Sequence, residues 1–93
     1  MKMHYLLSYE FVEDMTERRV PFRAEHLALA RTAFERAELV VAGAFSDAPP
    51  GAIMIFRADQ SDVVDRFVAA DPYVQSGLVT RWQVRPLQVG FGG

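Results

Sequence analysis

The residue best suited to proton transfer in this 93-residue chain is His26. It lies in the stretch PFRAEHLALARTAFERA, residues 21–37. Turned at about 100° per residue, that stretch reads as one amphipathic helix. Phe22, Leu29, Ala30, Ala33, Phe34 and Ala37 fall on one side, and Glu25, Arg31, Glu35 and Arg36 on the other. His26 falls among the apolar set, with Arg23 one turn earlier at the edge of the same face. An unpaired polar group on a face that packs against a sheet costs roughly 1–3 kcal/mol, so the fold must answer the imidazole. A backbone carbonyl would do so and leave a purely structural histidine. A carboxylate would instead orient the ring and stabilise its protonated form, which suits general acid/base work near neutrality.

The candidate carboxylate is Asp71. Asp71-Pro72 ends one helical pattern, because a residue before proline resists helical angles, and it can cap the turn that follows. The cap alone explains an aspartate there, yet the two oxygens allow a second bond. Arg23 could bind an anionic substrate group, or pair with Glu10. Tyr73 and Ser46 could line a cleft, with core packing and a strand end as their plainer readings. His4 and His26 lack the close spacing of a metal site, so no metal is expected. The chain has no phosphate-cradling glycine loop, nucleophile elbow or dinucleotide fingerprint, and no cofactor is expected.

The elements that must position these residues follow from periodicity. Residues 2–11 alternate as a strand, with Met3, Tyr5, Leu7, Tyr9 and Phe11 on one face. Residues 12–20, charged and aperiodic, read as a surface loop, and Pro21 opens the helix. LVVAGAF (39–45) and AIMIF (52–56) flank a Pro-Pro-Gly turn and suggest an antiparallel hairpin. Neither run alternates cleanly, so both faces should be covered, one by helices and one by a partner subunit. Asp59 or Ser61 can cap a helix with Val63, Val64, Phe67, Val68 and Ala70 as its stripe. PYVQSG adds a short helical turn closed by Gly77. A last strand spans roughly 79–89, where Pro86 argues for a sheet edge or a bulge, and GFGG is a frayed tail. Strand, helix, strand, strand, helix, strand is the order of a split ferredoxin-like α+β domain: an antiparallel four-stranded sheet with helices on one face and a bare, apolar face for a second copy.

Composition narrows the function. The chain holds one domain (1–93), 51% apolar and 24% charged, with no cysteine, which excludes disulfides and sulfur-based metal or nucleophile chemistry. Net charge is -2 and the ten basic residues are scattered, so nucleic acid is not an expected partner. No run approaches a membrane span and the amino terminus has no secretion signal, so a cytoplasmic location is expected.

Arg23-Ala-Glu-His26-Leu27, followed by Asp71-Pro72-Tyr73-Val74-x-x-Gly77-Leu78, resembles the YciI-like (YCII-related) family, over essentially the whole chain. The likeness includes Leu39 to Gly43 and Pro86-Leu87 in the last strand. It implies a dimeric ferredoxin-like fold of the α/β-barrel type, with His26 and Asp71 as a catalytic pair acting without a cofactor on a small, often aromatic, molecule. Where that family often has Gly-Pro at the end of the second strand, this chain has Gly43-Ala44-Phe45, followed by a short loop, which alters the pocket rim. The expected function is isomerisation, elimination or hydrolysis, with His26 as acid/base, Asp71 as its orienter, and Arg23, Ser46 and Tyr73 at the substrate. The alternative is a non-catalytic small-molecule-binding module of the same fold. No residue argues for a third possibility, a cofactor-free monooxygenase.

Overall fold

The computed structural model describes all 93 residues. Strand β1 spans Met3–Phe11, helix α1 Met15–Arg18, α2 Arg23–Glu35, β2 Leu39–Ala44, β3 Gly51–Ala58, α3 Asp62–Ala70, α4 Pro72–Gln75 and β4 Val79–Leu87. The strands form one sheet in the order β2-β3-β1-β4, every pair antiparallel. This is the split βαββαβ arrangement, with helices on one face. The expected barrel is not formed. The sheet is open, with β2 and β4 as free edges, because a four-stranded sheet of this order leaves its outer strands too far apart to pair.

Alternation in β1 sets the core. Tyr5, Leu7 and Tyr9 point under the helices and are buried, whereas His4, Leu6 and Ser8 are only partly covered. Register places Tyr5 beside Phe56 and Leu7 beside Met54. Val64, Phe67 and Val68 of α3 close over them, with Phe56 and Phe67 edge to face at 5.1 Å between ring centres. Burying side chains of this size contributes about 1.5–3 kcal/mol each, so α3 is the principal clamp on the sheet. Helix α2 packs more thinly. Ala33 alone is buried, Leu29 and Ala30 are partly so, and Phe34 is 62% exposed.

The uncovered face is mixed, which corrects the expected apolar surface. Ile53, Ile55 and Val41 occupy its β2–β3 half, with Leu6 of β1 beside Ile55, but Arg85, Gln83 and Arg81 of β4 stand opposite Leu6, Ser8 and Glu10. Nor is the tail merely frayed, since Gly93 returns against His4.

The stretch after β1 also departs from a plain loop. Met15 sits in α1 and is buried with Tyr73 and Leu78 in a small second cluster, against which Phe11 and Phe22 pack. Pro21 lies in the turn before α2, where the Phe22 amide bonds Arg19 O at 2.9 Å, and helical bonding begins with His26 N on Phe22 O. Helix α2 ends in a Schellman pair: Ala37 N bonds Phe34 O, and Glu38 N bonds Ala33 O. Its left-handed position is filled by Ala37 at φ 61, where glycine is usual. Gly77, at φ 78, ends α4 the same way, with Leu78 N on Tyr73 O and both of those side chains in the second cluster.

Candidate active site

Three elements meet at one end of the helix-covered face. β1 brings Tyr9 there two residues before its end, α2 begins there with His26 in its first turn, and α3 passes into α4 through Asp71. Asp71 has extended angles (φ -73, ψ 118) because proline follows it. That break points its carboxylate back under α2, where it is completely buried.

Three donors converge on this carboxylate. The Tyr73 backbone N–H donates to Oδ1 at 3.0 Å, the N-cap bond of α4. The Tyr9 hydroxyl donates to Oδ2 at 2.8 Å. His26 Nδ1 lies 2.9 Å from Oδ1. Because an ionised carboxylate only accepts, the ring proton sits on Nδ1. Nε2, on the opposite edge of the ring, has no hydrogen-bond partner in the protein, and the His26 side chain retains 16% exposure. The imidazole is also clamped in plane, stacked on the Tyr73 ring at 3.9 Å with 11° between planes. The bond to the carboxylate therefore selects the tautomer, and the stack selects the orientation.

Burial raises the Tyr9 phenol far above its ordinary value, and the charge of Asp71 and the bond to it add to the rise. Tyr9 is thus a fixed donor at neutral pH. The Tyr73 phenol is also raised, chiefly by burial and to a smaller degree by Asp71, while the guanidiniums of Arg19 and Arg23 pull the other way.

Beside the dyad opens a cleft of about 200 Å³, lined by His26, Tyr73, Tyr9, Arg19 and Arg23 and otherwise mostly by apolar groups, including the Gly43–Ala44 end of β2. Of the residues singled out in sequence, His26, Asp71, Tyr73 and Arg23 are brought together here. Ser46 is not. It is exposed in the turn after β2 and does not line the cleft. Arg23 does not pair with Glu10, whose near cation is Arg81 at 3.7 Å. His4 lies on the opposite face of the sheet from the dyad. No group of three or more His, Cys, Asp or Glu side chains gathers as metal ligands, and no helix is long and apolar enough to cross a membrane. Tyr9 and Arg19 escaped the sequence reading. The signal for Tyr9 was a hydroxyl on the buried side of a central strand, which must find an acceptor. Arg19 was hidden in a charged stretch whose helical turn rests on one buried residue, Met15.

The fold and site define a ferredoxin-like α+β protein carrying a buried carboxylate–imidazole dyad. The YCII-related domain matches residues 3–88, and the chain belongs to that family. No curated protein matches it. Among solved structures, the chain is similar to 5-chloro-2-hydroxyhydroquinone dehydrochlorinase from Burkholderia phenoliruptrix in complex with 2,5-dihydroxybenzoquinone. The two share 25% identity with a TM-score of 0.81, over 95% of this chain and 96% of the enzyme. A NIPSNAP-like domain protein from Burkholderia xenovorans superposes at TM-score 0.63 with 16% identity, over 99% of this chain and 89% of that one. Ribosomal protein S6 of Thermotoga maritima does so at 0.58 with 12% identity, over 94% and 89%. These last two show the fold alone.

Proposed function

We propose that the protein is a cofactor-independent enzyme that uses His26 as general acid and base on a small hydroxylated aromatic molecule held in the cleft. The observation that carries this reading is the 2.9 Å bond from His26 Nδ1 to a fully buried Asp71, which leaves Nε2 unpartnered beside the cleft. Asp71 orients the ring and stabilises the imidazolium formed when Nε2 takes a proton. The likeness to a dehydrochlorinase supports elimination as the reaction. For a chlorinated polyhydroxybenzene, a proton first moves from a hydroxyl oxygen to the carbon bearing chlorine, giving a ketone. A second hydroxyl then loses its proton to Nε2, its O–H pair becomes a carbonyl bond, and the C–Cl pair leaves with chloride. Net loss is HCl, and one group that both takes and gives protons serves each move. Arg23 stands at the cleft to hold the substrate's ionised oxygen.

Chloride release from 5-chloro-2-hydroxyhydroquinone tests the reading. His26→Ala should lower turnover about 10²–10⁴-fold, the usual worth of a positioned acid/base group, with an unchanged circular-dichroism spectrum. Equal turnover in that variant would end the mechanism. Binding by the parent without chloride release would identify a binding module instead.

The active unit is further proposed to be a homodimer paired through the β2–β3 half of the uncovered face. In support, Ile53 and Ile55 stand there with Val41, which is 49% exposed, and Leu6 of β1 adjoins them.

A further inference from the structure

Arg19 and Arg23 both line the cleft, yet neither forms an ion pair: the salt bridges involve Arg18, Arg66 and Arg81 but not these two. No aspartate or glutamate lines the cleft, and the buried Asp71 carboxylate is already engaged by Tyr9, His26 and Tyr73. Arg19 is partly buried. A guanidinium taken even partly out of water without an acceptor is costly, and a free surface position would have been open to it. Its backbone is held at both ends: its N–H bonds Met15 O at 2.9 Å, and its carbonyl accepts the Phe22 amide. The turn that carries Arg19 is thereby joined to the start of α2, which carries Arg23 and His26.

We infer that Arg19, together with Arg23, forms a two-guanidinium clamp that binds the substrate as an anion and selects for an ionised ring oxygen or carboxylate. The inference rests on the cleft being the substrate site, but not on His26 being the proton carrier. The volume agrees, since a cavity of about 150 Å³ holds benzene and this cleft, at about 200 Å³, admits one substituted ring. The apolar part of the lining takes the ring faces, and Nε2 of His26 meets one edge. Arginine is the suited cation because its planar fork binds two oxygens at once and stays charged at every working pH.

Equilibrium binding separates the clamp from the chemistry. The probe is 2,5-dihydroxybenzoquinone as its anion, with 1,4-dimethoxybenzene as the uncharged ring, titrated into the full-length parent, Arg19→Gln and Arg19→Lys. The clamp predicts that Arg19→Gln weakens the anion at least 10-fold, about 1.4 kcal/mol, and leaves the uncharged ring within 2-fold. Arg19→Lys should recover part of the loss, and parent affinity for the anion should fall as salt rises. Equal binding of the anion by parent and Arg19→Gln overturns the inference. So does equal weakening of both probes, which marks a structural role, or failure of the parent to bind the anion. His26→Asn, run alongside, makes the two readings separable. If turnover survives loss of His26 while Arg19→Gln still loses the anion, the acid/base assignment fails and the clamp stands.

Discussion

At the scale of single residues, the site is an accounting of donors around one buried carboxylate. Asp71 accepts from three groups, and an asparagine there keeps the cap but has one acceptor oxygen in place of two. Asp71→Asn is therefore expected to lower stability by about 1–3 kcal/mol, because a buried donor is left unanswered. Urea unfolding measures this, and an unchanged midpoint would show that water replaces the lost acceptor. Tyr9 brings a pH dependence. Its phenol is raised above the ordinary value of 10.0 by burial, so the folded chain holds that proton more tightly than the unfolded one. Stability from this group is fully present below pH 10 and falls as pH rises beyond it, by up to about 1.4 kcal/mol per unit. Tyr9→Phe loses the bond to Asp71, a net cost of about 1 kcal/mol at neutral pH, but its alkaline decline should be shallower. Parallel declines in the two proteins would place the alkaline lability elsewhere.

At the scale of elements, the two helix ends give a matched pair. Helices α2 and α4 both close with Schellman bonds, but one uses Ala37 and the other Gly77 in the left-handed position. Ala37→Gly removes the Cβ clash and should raise stability by about 0.5–1 kcal/mol, net of the extra freedom glycine has when unfolded. Gly77→Ala should lower it by about 1–2 kcal/mol, since no contact of the added methyl within 4 Å offsets the strain. Thermal melts of the two variants should move in opposite directions. Gly77→Ala should also loosen the stack on His26, because Tyr73 and Leu78 pack across that end.

At the scale of the whole molecule, the open sheet has one face that no helix of this chain covers. The apolar half lies along β2 and β3, whereas β4 turns Arg81, Gln83 and Arg85 outward. Sedimentation equilibrium should show a dimer that Ile55→Glu dissociates without loss of secondary structure, since a charge at a desolvated contact is unpaired. A monomeric parent would remove the dimer from the proposal.

Periodicity and punctuation determined much of this. The alternation of Tyr5, Leu7 and Tyr9, the 3.6-residue stripes, and the Asp71-Pro72 break made the element order, the hairpin and the split α+β arrangement readable, because each is a local preference of the backbone. His26 and Asp71 were recognisable as candidates, one for being out of place on an apolar face and one for its cap position. Only the tertiary structure decided that they meet, since residues 45 positions apart are joined by helix packing that no local pattern encodes. The same holds for Tyr9 and Arg19, whose partners and setting lie on other elements. It holds also for Ser46, left outside the cleft by the turn that follows β2, and for the open sheet, whose closure depends on how its outer strands are placed rather than on what any strand prefers.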